Sequence, residues 1–178
     1  MQELADSVKP KYKLYNYIFG FSFITGLVLL IFEIHLYRET IIIWSIPSAV
    51  WIFSGLIITP FTSSILQKYL NVYSFIFKAL INIIAFGGMV TYLFMASNYY
   101  FSDSSQVIVK KVNILNTGYL AEGRYGCSNP YADVKIDNTP KELIFPCDIT
   151  IEKYKFIKLS VKKGLLGFDI IIGKEPEE

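Results

Sequence analysis

Cys127 and Cys147 are the only thiols in the chain, twenty residues apart in its last third. Such a pair can close a disulfide, supply half of a zinc site, or lie buried as two small apolar side chains. A zinc site wants four Cys or His ligands, and the single histidine, His35, stands at the end of a distant apolar run. A thiol oxidoreductase wants Cys-x-x-Cys and a nucleophilic cysteine wants a histidine base beside it, and neither is present. Cys127 sits in a loop-like segment, GCSNP at 126–130, and Cys147 at the end of an expected strand, which suits a bridge; two buried, unbonded cysteines are the alternative.

The remaining chemistry-bearing residues read as structural. Glu33 and His35 are two apart, so on a helix they point to different faces, as interfacial side chains do, and not as a metal or proton-relay pair. Asp133 and Asp137 share one face of a short strand, which the polar side opposite Ala132, Val134 and Ile136 explains. The GLLG segment at 164–167 is a hairpin turn, since a phosphate loop needs a Lys-Ser or Lys-Thr pair and a following helix. No nucleophile, base and orienting group can be assembled, so the chain reads as a non-enzyme without metal or cofactor.

The elements that carry these residues fall into two halves. Three uncharged runs, 14–32, 40–67 and 79–102, each approach or exceed the roughly 20 apolar residues that cross a hydrocarbon core of about 30 Å. They predict helices at about 14–34, 40–62 and 75–98 in a membrane domain, 1–102, followed by a water-soluble domain, 103–178. The first run has no small-residue cleavage site after it, so it reads as a retained helix and not as a signal peptide. Up to residue 102 there are six Lys and Arg against four Asp and Glu, whereas the second half holds eleven of each. A balanced soluble domain offers no basic face for nucleic acid.

Charge also sets the sense of insertion, because Lys and Arg near span ends are kept on the cytoplasmic side. Lys9, Lys11 and Lys13 precede the first span, Lys68 and Lys78 flank the turn between the second and third, and Arg38 alone marks the opposite side. This predicts a cytoplasmic N-terminus and an extracytoplasmic C-terminal domain. Tyr12, Tyr15, Tyr17, Tyr69 and Tyr73 would then form an inner aromatic belt, and Tyr37, Trp44, Tyr99 and Tyr100 an outer one. Lys78 is expected to reach the inner headgroups, and Asn82, one turn deeper, to hydrogen-bond between helices.

Gly20, Ser22, Gly26, Ser48, Gly55, Ala85, Gly87 and Gly88 are small enough for close helix approach, within one chain or between copies. Pro47 belongs to the first turn of the second helix or kinks it, and Pro60 is expected to end its straight section. The stretch GLIITP at 55–60, followed by ILQKYL at 65–70 and another apolar helix, resembles a helical hairpin of small uncharacterised bacterial membrane proteins. That resemblance implies a bacterial cytoplasmic membrane and brings no activity with it.

Beyond residue 106 the apolar period changes to two, the mark of half-buried strands. Ile157, Leu159 and Val161 alternate with Lys158, Ser160 and Lys162, and further strands are expected at 107–115 with an extension toward 120, 131–136, 141–145 and 168–172. Asn138, Thr139 and Pro140 supply a turn, Asp148 can cap one helical turn, and the tail from Lys174 is expected to be loose. The expected fold is thus three transmembrane helices followed by a four- or five-stranded antiparallel sheet or half-barrel. So small a sheet is marginal without a staple, and a bridge closing about 20 residues would add about 3 kcal/mol. In an oxidising compartment such a bridge persists. The chain reads as a membrane anchor presenting an interaction domain to another membrane or envelope protein, with a subunit of a transport assembly as the alternative.

Overall fold

The computed structural model describes residues 2–121 and 126–178, with side chains placed for residues 14–103, 107–121 and 126–178. Four α-helices come first: α1 (Gln2–Glu39), α2 (Ser45–Leu70), α3 (Phe75–Asn82) and α4 (Gly88–Tyr100). A π-helical turn, Ile83–Gly87, joins α3 to α4, so the two form one continuous helix. Five strands follow: β1 (Asp103–Tyr119), β2 (Pro130–Ile136), β3 (Thr139–Ile144), β4 (Phe156–Lys163) and β5 (Asp169–Glu177). The chain divides into a helical unit, Met1–Ile34 with Trp44–Met95, and a β unit, His35–Ile43 with Ala96–Glu178.

Three helical stretches, Leu14–Glu39, Ser45–Leu70 and Phe75–Tyr100, are long and apolar enough to cross a bilayer. The third is the most enclosed, with 44% of its most apolar stretch buried in the protein against 11% and 17% for the others. Glycines explain why it can be central. A methyl group on Gly26 would collide with the Ile84 and Ala85 carbonyl oxygens, and one on Gly88 would come within 2.7 Å of the Gly26 carbonyl oxygen. A Cβ on Gly87 would stand 2.5 Å from the Trp51 carbonyl oxygen, and one on Gly55 would meet the Ile83 backbone. The Trp51 indole N–H donates to the Ile83 carbonyl at 2.8 Å, so this buried polar handle is satisfied where the π turn begins. Gly20, by contrast, faces open space.

Three expectations for the helices change. First, α2 runs on to Leu70, past the expected end at about 62, with Pro60 inside it. Neighbouring hydroxyls bond the backbone around it, Thr59 Oγ1 to the Gly55 carbonyl at 2.8 Å and Thr62 Oγ1 to the Ile58 carbonyl at 3.3 Å. The end comes instead at Asn71, left-handed at φ 56°, whose N–H bonds back to the Leu66 carbonyl. Second, residues 40–43 are not helical: Thr40 forms a β-bridge to Ile170, and Ile41 and Ile42 are buried. Three consecutive β-branched isoleucines favour extended backbone, and α2 starts after them, with Pro47 in its first turn. Third, Lys78 is 5% exposed, turned into the helical unit. Its ammonium donates to Ser63 Oγ at 2.9 Å and Gln67 Oε1 at 3.3 Å, clasping α3 to α2.

The β unit is one antiparallel sheet in the order β3-β2-β1-β4-β5. The long β1 serves two partners in succession. Val107 to Asn113 pair with β4, Ile114 to Tyr119 pair with β2, and an irregularity between Ile114 and Asn116 bends the strand between them. The sheet therefore curls into a half-barrel around Val112, Val134, Ile136, Phe145, Ile157, Leu159 and Val161. The β2–β3 hairpin turns on Asp137 and Asn138, with φ of 46° and 68°, so the turn lies one residue earlier than Asn138–Pro140, and Thr139 and Pro140 already belong to β3. The expected single helical turn is a 3-10 segment, Ile151–Lys153, with Ile151 fully buried and no side-chain cap. The tail is not loose: β5 continues to Glu177, whose carboxylate lies 2.7 Å from Lys111 Nζ and 2.8 Å from Lys158 Nζ.

Candidate functional site

The last turn of α1 carries His35, Arg38 and Glu39, spaced i, i+3 and i+4, so the helix sets all three on one face. Within the β unit they form one wall of a pocket of about 430 Å³. Strand β3 contributes Glu142, Leu143 and Ile144, and strand β5 contributes Ile171 to Lys174. Glu39 is held in place: Tyr99 Oη donates to its Oε2 at 2.6 Å, and His35 Nε2 stands 3.6 Å from its Oε1. Arg38 is exposed and forms no ion pair among the described residues. Lys174 donates to the Ile144 carbonyl and lies 5.2 Å from the centre of the Phe145 ring, also without a paired carboxylate. Burial lowers the Lys174 ammonium below its ordinary range, and the Glu39 charge only partly opposes this.

The walls are braced by contacts that pattern reading does not find. Ile41 donates its N–H to the Asp169 carbonyl at 2.7 Å and packs in the β core. Lys141, 6% exposed, donates to the Tyr37 carbonyl, its nitrogen 3.9 Å from the centre of the Tyr37 ring. Burial pushes the Lys141 ammonium down to about 8. Asn98, fully buried near the end of α4, holds the β4–β5 turn: its Oδ1 accepts from the Leu166 N–H at 3.0 Å and its Nδ2 donates to the Phe168 carbonyl at 3.2 Å.

A second concavity, about 560 Å³, lies on the sheet between β1 and β2 and is lined by Lys110, Lys111, Asn113, Leu115 and Lys135 among others. Two of its lysines are neutralised. Lys110 contacts Asp137 and lies 2.9 Å from Asp169 Oδ2, and Lys111 pairs with Glu177. Burial pulls the Lys110 ammonium down, but its bonds to Asp137 and Asp169 outweigh that and raise it. Burial likewise pushes Asp169 up, and the bonds from Lys110 and Lys163 bring it below the ordinary carboxylate range. Val107, Ile108, Val109 and Leu115 on β1 are each more than half exposed.

Cys127 and Cys147 form a disulfide, with Cα atoms 6.3 Å apart and a sequence separation of 20. The bridge ties the segment before β2 to the segment after β3. Asp133 and Asp137 do not act together: Asp133 accepts from Asn116 and Asp137 from Lys110. Glu33 and His35 stay apart, and His35 meets Glu39 instead. Among the described residues no three His, Cys, Asp or Glu side chains converge on a point. Of the five lysines expected to set topology, Lys68 lies in the last turn of α2, 5.4 Å from the centre of the Tyr69 ring, and Lys78 is the buried clasp. Lys9, Lys11 and Lys13 fall within α1, and their side chains lie outside the described residues. Comparison with protein-family models, curated proteins and solved structures finds no match to this chain.

Proposed function

We propose that this protein is a non-enzymatic membrane anchor that holds a small, disulfide-stapled β domain at the outer face of a bacterial cytoplasmic membrane for contact with another membrane or envelope protein. One observation carries the reading. The β unit is built on helix ends, taking Ile41 into its core and its β4–β5 turn from Asn98, which are the marks of a domain held at a span boundary. The exposed Leu115 lines a concavity with Lys135, which forms no ion pair among the described residues, and the exposed Val107 and Val109 continue the apolar run along β1, a surface suited to a protein partner. The outward orientation rests on the charge rule and on the compartment in which a disulfide endures. The bacterial setting rests on the resemblance of the 55–70 hairpin.

The test is co-purification in mild detergent of the full chain and of a Val109→Asp, Leu115→Asp variant. A partner retained by the first and lost by the second, with both equally folded, supports the reading; equal retention counts against this surface. A subunit of a transport assembly is the second reading, and the polar cluster of Thr59, Thr62, Ser63, Lys78 and Asn82 between α2 and α3 favours it. Asn82 Oδ1 is buried there without a hydrogen-bond donor. Solute flux through liposomes containing only the purified protein would overturn the anchor reading.

A further inference from the structure

We propose that the pocket between the last turn of α1 and strands β3 and β5 binds a phospholipid headgroup that carries both a phosphodiester and a primary ammonium. This goes beyond the anchoring role and does not depend on which way the chain is inserted. Three observations support it. The first is depth: the pocket is built on His35, Arg38 and Glu39, which close the candidate span Leu14–Glu39, and headgroups lie at span ends.

The second is available charge. Arg38 and Lys174 line the pocket without paired carboxylates among the described residues, and a guanidinium fork matches two phosphate oxygens. Lys174 is exposed, with its ammonium held at the Ile144 carbonyl on the β3 wall, so it stays open to an anion. The third is balance. Glu39 is occupied by Tyr99 and His35, whereas Glu142 is exposed on the β3 wall and forms no ion pair among the described residues. Two cations and two carboxylates leave the pocket near neutral with its charges separated. A headgroup bearing only negative charge would face Glu142 unpaired, while one with a phosphodiester and an N–H-bearing ammonium answers both signs. Ile171 and the half-exposed Ile172 offer an apolar edge for the glycerol and the first acyl carbons. The pocket's size also falls in the range of small-ligand sites, roughly 300–1,000 Å³.

The experiment uses the full chain in mild detergent micelles, titrated with ethanolamine, choline or glycerol phospholipid of one acyl composition and read by lipid retention in native mass spectrometry. Glycerophosphoethanolamine, which lacks acyl chains, separates a membrane lipid from a soluble compound. The expected result is preferential retention of the ethanolamine lipid. Arg38→Gln, which removes a charge-assisted pair, is expected to weaken it by about tenfold or more. Glu142→Gln is expected to abolish the preference for ethanolamine over choline while binding to both persists. Both residues are exposed, so the fold is not at risk. Equal retention of all three lipids, undiminished binding in Arg38→Gln, an unchanged preference in Glu142→Gln, or equally tight binding of the acyl-free compound would each overturn the proposal.

Discussion

Asn98 and Gly164 offer the sharpest test of how the β unit is built. Asn98→Ala removes the acceptor for the Leu166 N–H and the donor to the Phe168 carbonyl. The Phe168 carbonyl still accepts from the Gly164 N–H at 3.0 Å, and the exposure of Leu166 lets its N–H turn to water, so the loss is that of two hydrogen bonds without a buried orphan, about 1–2 kcal/mol. Gly164→Ala costs a similar amount for another reason. Its backbone is not left-handed, but a Cβ there would stand 2.5 Å from Asn98 Cγ, and overpacking of this kind costs roughly 1–3 kcal/mol. Once Asn98 is alanine the obstruction is gone, so Gly164→Ala should then cost under about 0.5 kcal/mol. The pair is therefore strongly non-additive, with a coupling of about 1–2 kcal/mol that exceeds the few tenths expected of independent sites. Urea unfolding of the full chain in detergent, followed by near-ultraviolet dichroism, measures all four variants. Additive costs would refute the reasoning, because they would mean that Asn98 does not fill the space over Gly164.

Replacing Cys127 and Cys147 by serine should lower stability by about 3 kcal/mol, the chain-entropy value for a loop of about 20 residues, and reduction of the parent should reproduce the loss in the same unfolding assay. Gly55→Val should disrupt helix packing, since Ile83 occupies the space a side chain needs; loss of a monodisperse peak in size-exclusion chromatography checks it, and Gly20→Val, which points into open space, should leave the peak intact. Lys141 sets an alkaline dependence. Its folded ammonium titrates at about 8 and its ordinary value is 10.5, so between these the unfolded chain binds a proton that the folded chain lacks, and stability should rise with pH across that window. Lys141→Met should flatten the rise; a parental slope in the variant would remove Lys141 as its cause. Asp169 acts at the acid end. Its folded value is depressed, so its contribution is present above the ordinary carboxylate range and lost as pH falls, and Asp169→Asn should blunt acid unfolding monitored by dichroism.

Much of the fold was legible because it obeys local periods. The spans follow from uncharged length, and the alternation of Ile157, Leu159 and Val161 with lysines and serine locates β4. What pattern reading missed is long-range pairing. Thr40, Ile41 and Ile42 lie in an uncharged run that reads as the start of a helix, yet they join the sheet through Asp169 and Ile170, more than a hundred residues on. A short apolar run does not tell a buried strand from a buried helix. Asn98 is one polar residue in an apolar run, and its partners Leu166 and Phe168 are 68 and 70 residues away. Lys78 reads as an interfacial cation because its acceptors, Ser63 and Gln67, become visible only when α2 and α3 fold against each other. The pocket is half legible: Arg38 reads as a span-end charge, but Glu142 reads as a strand residue and Lys174 as part of a loose tail. Only the β3 and β5 registers bring them beside α1.

The same helix ends explain why the β unit does not begin at Asp103. A fragment of residues 103–178 lacks Ile41 from its core and Asn98 from its turn, and it should be less stable than the same unit in the full chain.

Single-site labelling decides whether the chain is a three-span anchor with its β unit outside. Lys135→Cys on the exposed face of β2 and Tyr73→Cys between the second and third spans are each treated with a membrane-impermeant maleimide in intact and in opened spheroplasts. Lys135→Cys is expected to label fully in intact spheroplasts and Tyr73→Cys only after opening; the reverse pattern, or both sites labelling from the same side, would rule out an anchor with its β unit outside.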